Sequence, residues 1–306
     1  MWVDQIFKSN LKLLMTQPWE DVKRPHYNDG ENVKVKRLLQ VTNQYDLRRE
    51  FPISTIRPLN LKGCIKEVCW IWQKRSVDCD KLGLKIWDQW KDEDNRIPGC
   101  YGDMVDRYVV MSKTQDFNEW KPITLESLCS VFGNVDIIGN KVVGYGLLNQ
   151  TDYILWCLKN DPSSRRIVAS MFLPEMNALK PLEECAFQIN LSVKGDELYM
   201  TLYQRSLDMV TANFWNVAQY AALMMMFAHD EGLKPAVLTH FIQDMHLYDR
   251  HEKVAEELLK RRIEGPIAQV SISTRMQGKG FYDFTPDDFE IWNYEPQPQV
   301  KFEVAV

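Results

Sequence analysis

The chain has 306 residues, 45% hydrophobic and 26% charged, with a formal net charge of −5. That is the make-up of an ordinary globule, and it excludes a nucleic-acid coat or membrane-surface binder that works by bulk positive charge. No apolar run is long enough to span a bilayer, and MWVDQIFKSNLKLL lacks a cleavable signal pattern. Seven cysteines at irregular positions (64, 69, 79, 100, 129, 157, 185) read as free thiols in a reducing, cytoplasmic setting, and no CxxC pair suggests a metal.

Taken in chain order, residues 2–16 set Trp2, Ile6, Phe7, Leu11 and Leu14 at helical spacing, which predicts an amphipathic helix. WEDVKRPHYNDGEN is polar and rich in turn formers, and reads as a loop. VKVKRLLQVTNQYDL alternates as a half-buried strand does. LKGCIKEVCWIWQKRS reads as a buried helix carrying Glu67, followed by a tryptophan pair in KIWDQWKDED and a Gly-Cys-Tyr-Gly turn at 99–102. Residues 103–145 mix helical and extended signals and read as a surface insertion. The helix NQTDYILWCLKN stops at Asp161-Pro162, and Ser-Ser-Arg-Arg precedes the strand IVASMFL. Two strands flank a Gly-Asp turn at 195–196, and a long apolar helix runs from about Phe214 to Glu231. VLTHFIQDMHLY reads as a strand, HEKVAEELLKR as a charged amphipathic helix, and SISTR as the start of the last strands. The tail FEIWNYEPQPQVKFEVAV is Pro-interrupted and extended. With no internal repeat or linker, one α+β domain over 1–306 is expected.

Several side chains could carry chemistry. A lone buried cysteine such as Cys185 is ordinarily a small hydrophobe. It becomes a nucleophile where cations such as Arg165, Arg166 or Arg205 fold against it and lower its pKa. Arg165-Arg166 alone is a solvated turn, yet arginine forks together with the Ser206 hydroxyl suit a phosphate. Asn216 opens a helix, where a cap is the ordinary reading, but an amide that both donates and accepts can also read the edge of a base. Glu67 lies among apolar residues, where a carboxylate needs a partner or a function. His246 and Tyr248 read equally as a core imidazole and a strand aromatic.

Cys185, the cluster Gln204-Arg205-Ser206 with Asp208, then Asn216, then Asp244-x-His246-x-Tyr248 keep one spacing, without a gap, between 180 and 259. With the upstream pair in DPSSRR, this run resembles the catalytic half of the thymidylate synthase family. The resemblance implies an α+β fold with a large mixed sheet flanked by helices, and a homodimer with shared active sites. It implies dUMP as substrate and 5,10-methylenetetrahydrofolate as one-carbon donor. Cys185 would add to C6 of the pyrimidine. Gln204, Arg205, Ser206 and Arg24 would hold the nucleotide, with Arg165 and Arg166 reaching its phosphate from the neighbouring subunit. Asn216 would pair with O4 and N3–H of uracil, and His246 and Tyr248 with the sugar 3′-hydroxyl. Glu67 would serve water ordering and proton transfer at O4, and Tyr101 removal of the C5 proton, although Tyr145-Gly146 repeats the Tyr-Gly pair. Asp208, Trp87 and Trp90 would lie at the folate, and the tail ending in Val306 would close over it.

The chain also departs from the family pattern. The usual Pro-Cys-His is Glu184-Cys185-Ala186, and Glu184 would raise the thiol pKa if ionised nearby. Thr211 and Ala212 in VTANFW replace a Leu-Gly pair, and the Arg-Thr-Gly loop is rewritten as KRPHYNDGEN. A more polar folate side would admit water, so a divergent, phage-like deoxyuridylate hydroxymethylase making 5-hydroxymethyl-dUMP is the leading expectation. The alternative is a thymidylate synthase making dTMP and dihydrofolate, favoured by the retained Trp87 and C-terminal valine. A non-catalytic nucleotide- or RNA-binding paralogue is the third reading. Neither a membrane nor a stably bound nucleic acid is expected as a partner.

Overall fold

The structure, a computed structural model, describes residues 2–27, 29–112, 121–122, 145–174, 180 and 182–303. Helix α1 (Trp2–Met15) buries Val3, Phe7, Leu11 and Leu14, the stripe that its spacing predicts. Asp4 shares the buried face because it has partners: it accepts from the Ser54 hydroxyl at 2.6 Å and from the Thr55 amide and hydroxyl at 3.1 and 2.9 Å.

The predicted loop after α1 is instead a strand, β1 (Glu20–His26), antiparallel to β2 (Asn32–Asp46). It lies at the edge of the sheet, where one side chain in two need not be apolar and Pro25 removes no ladder bond from a second neighbour. Its sequence therefore carries charge without alternation.

Helix α2 (Leu61–Val68) is capped by the Asn60 side chain, which accepts from the Gly63 amide, and widens into a π-turn at Cys69–Gln73. Trp70 and Trp72 of that turn are fully buried. Two short helices follow, α3 (Cys79–Leu82) and α4 (Tyr101–Val105). Of the stretch 103–145, read from the sequence as a surface insertion, β3 (Tyr108–Ser112) and β4 (Lys121–Pro122) lie on either side of β5 (Tyr145–Asn149) in a three-stranded sheet. The rest of that stretch lies outside the described residues.

Helix α5 (Gln150–Asn160) leads through an exposed turn to β6 (Val168–Ser170), shorter than the predicted strand. Then come β7 (Ala186–Lys194), β8 (Glu197–Gln204) and the two-residue β9 (Leu207–Asp208). Helix α6 (Asn213–Asp230) is buried without interruption from Val217 to Ala228, as a helix with no polar face must be. It returns the chain to β10 (Lys234–Tyr248), which runs parallel to β8 and antiparallel to β2. The sheet order is β1-β2-β10-β8-β7-β6, with β9 also on β10. This is the mixed sheet expected, in an α+β fold. Helix α7 (Glu252–Lys260) and the hairpin β11 (Gln269–Ile272) with β12 (Phe289–Trp292) complete it. The parallel pair fixes where a ligand can sit: β8 stops at Gln204, opposite Ile242, β10 runs on to Tyr248 beside β9, and α6 begins next to them.

Candidate active site

At that end of the sheet lies a cavity of about 890 Å³. Its walls bring together Glu67, Trp87, Trp90, Tyr101, Cys185, Gln204, Arg205, Ser206, Asp208, Asn216, His246 and Tyr248. These residues come from α2, the 85–90 segment, α4, the start of β7, the ends of β8 and β10, β9 and the first turn of α6. Arg165 and Arg166 are exposed on the turn before β6 and do not line the cavity of their own chain. The side chain of Arg24, and Val306, lie outside the described residues. Phe302 nevertheless brings the tail to the cavity wall, packed against the Arg57 guanidinium at 5.1 Å.

Cys185 is held from two sides. The Tyr101 hydroxyl accepts from the amides of Cys185 (3.0 Å) and Ala186 (3.3 Å), which fixes the turn into β7. Tyr101 itself is placed by close packing: a Cβ on its neighbour Gly102 would lie 2.1 Å from the Ser76 carbonyl oxygen. Arg205 donates to the Glu183 and Glu184 carbonyls and sets one guanidinium nitrogen 3.7 Å from the Cys185 sulfur. Burial pushes the thiol above its ordinary pKa, Arg205 pulls it back, and Glu184 and Glu183 add to the rise.

Glu184 faces away from the cavity. Its carboxylate pairs with the Lys180 ammonium at 2.7 Å, both side chains being fully buried, and its second oxygen has no hydrogen-bond partner. Lys180 thus opposes the Glu184 charge, which still acts to raise the thiol pKa.

Glu67 is clamped by three donors. The Trp87 indole N–H reaches Oε1 at 2.7 Å, while the Trp215 indole (2.6 Å) and the Gln219 amide (2.7 Å) share Oε2. Burial pushes its pKa up to about 7 against the pull of those donors. Trp87 also meets Trp90 and Tyr101 edge-on, at 5.4 and 5.9 Å between ring centres. Trp215 and Gln219 were not legible as site residues: both read as ordinary positions in an apolar helix, and their partner lies far upstream.

Asn216 accepts from Gln204 at 3.0 Å and donates to Gln219 at 3.3 Å, so it acts as a link and not as a helix cap. Asp208 accepts from the Val210 and Thr211 amides at 2.9 and 3.2 Å. Burial would raise its pKa, but the adjacent His251 outweighs that and leaves it below the ordinary carboxylate value. His246 and Tyr248 meet edge-on at 4.9 Å on the β10 wall, and burial keeps His246 below its ordinary pKa. Arg37, across from His246 in the β2–β10 ladder, also lines the cavity and binds Asp244 through Nε at 2.9 Å. Among the described residues no His, Cys, Asp and Glu cluster could hold a metal ion, and no helix is long and apolar enough to cross a membrane.

A thiol beside a cation, a buried carboxyl titrating near neutrality and an amide with free donor and acceptor positions can together attack, protonate and orient a polar ring. The family model described as thymidylate synthase matches residues 6–306. Thymidylate synthase from Streptococcus mutans is 33% identical over 317 aligned residues, covering 99% of both chains. The Streptococcus pyogenes serotype M12 enzyme of the same name is 33% identical over 318, again covering 99% of both. The solved structure of thermostable thymidylate synthase A from Bacillus subtilis superposes with a TM-score of 0.82 at 29% identity, covering 99% of each chain. The chain belongs to the thymidylate synthase family, and so to the enzymes that transfer a one-carbon unit to C5 of a pyrimidine nucleotide.

Proposed function

We propose that the protein transfers the one-carbon unit of 5,10-methylenetetrahydrofolate to C5 of dUMP and reduces it, giving dTMP and dihydrofolate. The observation that carries C5 transfer is the convergence on one cavity of Cys185, with Arg205 at 3.7 Å, and the clamped Glu67, while the choice of reduction over hydration rests on the similarity to enzymes named thymidylate synthase. The Cys185 thiolate adds to C6 of the uracil and makes C5 nucleophilic, with Arg205 holding the negative charge on sulfur before attack. Glu67 exchanges a proton at the O4 side, and Tyr101 stands beside Cys185 to assist loss of the C5 proton. Arg205, Ser206 and Gln204 bind the nucleotide, Asn216 reads its base, and His246 and Tyr248 take the sugar. Trp87, Trp90 and Asp208 form the wall for the flat, partly apolar folate, and Leu182, Ile86 and Phe302 beside them fit such a group. The folate would supply the methylene carbon and the hydride; arrival of that hydride at the methylene carbon would restore the C5–C6 double bond and expel Cys185 from C6 as the thiolate.

The reading includes a homodimer. On the sheet face away from α6, Tyr203 and Phe241 pair at 6.0 Å and Phe172 and Phe187 at 6.3 Å, all four only half-buried. A second copy seated there would bury these rings and could bring Arg165 and Arg166, together with Arg24 of the same family role, to a phosphate. Val306 completes closure of the tail over the folate.

Thr211 and Ala212 on the cavity wall support a second reading, in which water takes the place of hydride and 5-hydroxymethyl-dUMP is formed. Mass spectrometry of nucleotide incubated with the folate decides between them. A methyl product with dihydrofolate is expected, and a hydroxymethyl product establishes the second reading. No product from dUMP, UMP, dCMP or CMP overturns both.

A further inference from the structure

A chain of hydrogen bonds crosses the floor of the cavity from β10 to α2. His240 Nε2 meets Gln204 Oε1 at 2.9 Å, and Gln204 Nε2 donates to Asn216 Oδ1 at 3.0 Å. Asn216 Nδ2 then donates to Gln219 Oε1 at 3.3 Å, and Gln219 Nε2 to Glu67 Oε2 at 2.7 Å. His240, Gln204, Gln219 and Glu67 are all buried, and Asn216 alone of the five is half-exposed to the cavity.

The direction of this chain is fixed independently from both ends. At the α2 end, the Trp87 and Trp215 indoles can only donate, and each occupies a different oxygen of Glu67. Ionised, as it is at pH 8, the carboxylate can only accept, so Gln219 turns its NH2 toward it and its carbonyl toward Asn216. At the β8 end, Gln204 Nε2 also donates to the Ser206 carbonyl at 2.9 Å, and a carbonyl can only accept. Gln204 must therefore offer N–H to Asn216. Each constraint alone requires Asn216 to place its oxygen on the Gln204 side and its nitrogen on the Gln219 side. Ala186, on the neighbouring strand, offers only a methyl group and cannot take part.

We propose that Gln219 is a positioning residue that locks the Asn216 amide in this sense and thereby selects uracil over cytosine. The inference rests on the reading of the cavity as a pyrimidine nucleotide site. With one N–H and one lone pair used internally, Asn216 has one of each left for the base: a donor on the Glu67 side and an acceptor on the Gln204 side. Uracil presents the complement, O4 and N3–H. Cytosine presents an amino group and a bare N3, and accommodating it requires Asn216 to rotate, placing N–H against N–H at Gln204 and oxygen against oxygen at Gln219. Both mismatches are desolvated, where a lost partner costs most.

The test is the ratio of dissociation constants for dCMP and dUMP, measured calorimetrically at pH 8 in the full-length protein and in Gln219→Met, which keeps length and volume but neither donates nor accepts. The ratio is expected to fall about tenfold, the worth of one buried hydrogen-bond mismatch, because the Gln204 end still holds. Trp215→Phe removes a donor from Glu67 without touching Asn216, and its ratio is expected to stay at the wild-type value. A Gln219→Met ratio equal to wild type, or an equal fall in Trp215→Phe, overturns the assignment. If Gln219→Met does not fold, as judged by circular dichroism, Gln219→Ala serves with the same criterion. Wild-type protein that binds neither nucleotide overturns the reading of the cavity itself and the assignment with it. Wild-type protein that turns over dUMP while Gln219→Met keeps its selectivity overturns the assignment alone.

Discussion

Arg205 is the only cation placed against the Cys185 sulfur among the described residues, and removing it should be read directly on the thiol. At 3.7 Å a full charge pair is worth about 1 kcal/mol in water and about 4 kcal/mol at the dielectric of a protein surface. The guanidinium is about one third exposed and shared with Glu183, so the lower part of that range applies. Arg205→Gln should therefore lower the thiolate population at fixed pH by about tenfold. Glu183 and Glu184 already act in that direction, and Glu183 loses its Arg205 partner in the variant. The assay is the rate of iodoacetamide alkylation of Cys185, followed by peptide mass spectrometry from pH 6 to 10 without nucleotide. The profile should move to higher pH in Arg205→Gln and lie between the two in Arg205→Lys, which keeps the charge and loses the fork. A profile unchanged from wild type would refute the argument, since it would mean that burial alone sets the thiol.

Three further outcomes are expected. Glu67 titrates at about 7 in the fold against 4.5 for an unperturbed carboxyl, so the native state binds the extra proton and stability falls as pH rises between those values. The loss should approach about 3 kcal/mol between pH 4.5 and 8 and be absent from Glu67→Gln; urea unfolding across that range checks it, and equal slopes in the two proteins count against it. Asp4→Ala leaves two hydroxyls and an amide without their buried acceptor and should cost about 2–4 kcal/mol, measured as a shift in urea midpoint; an unchanged midpoint contradicts the packing described. Gly102→Ala drives a methyl into the Ser76 backbone and displaces Tyr101, so turnover should fall by about tenfold or more, whereas Gly195→Ala, strained by its φ of +65° but in open space and outside the cavity lining, should cost stability and leave turnover intact. Comparable turnover in the two alanine variants removes the argument from close packing.

Much of the frame was legible because one local signal dominates each element. The stripe of α1, the unbroken apolar run of α6 and the alternation of β2 and β10 depend only on which face meets the core. β1 was missed for the same reason in reverse: an edge strand that buries one face against few neighbours needs no alternation. The widening of α2 at Cys69 was equally hidden, since a π-turn differs from an α-turn by packing and not by residue type. In the cavity, Cys185, Asn216 and Glu67 were found through spacing that matches a known family, and the chemistry of single residues left each ambiguous. The partners of Glu67 were invisible, because Trp215 and Gln219 lie 148 and 152 positions away and nothing local ties them to it. The Lys180–Glu184 pair was not legible either: Lys180 stands before two glutamates, Glu183 and Glu184, with Pro181 breaking any helical spacing, and nothing local says which one it meets.

That pair also limits which substitutions the segment tolerates. Lys180 and Glu184 are both sealed from solvent, and either one alone would leave a bare charge in the core next to the nucleophile, a loss of about 3–5 kcal/mol. The two residues are therefore coupled: relative to a neutral pair, either charge alone is costly and the two together are tolerated. Replacing either residue alone by a neutral one should therefore destabilise the fold more than replacing both. The Cys185 segment is thus constrained by the packing of its own ion pair as well as by what the reaction demands of it.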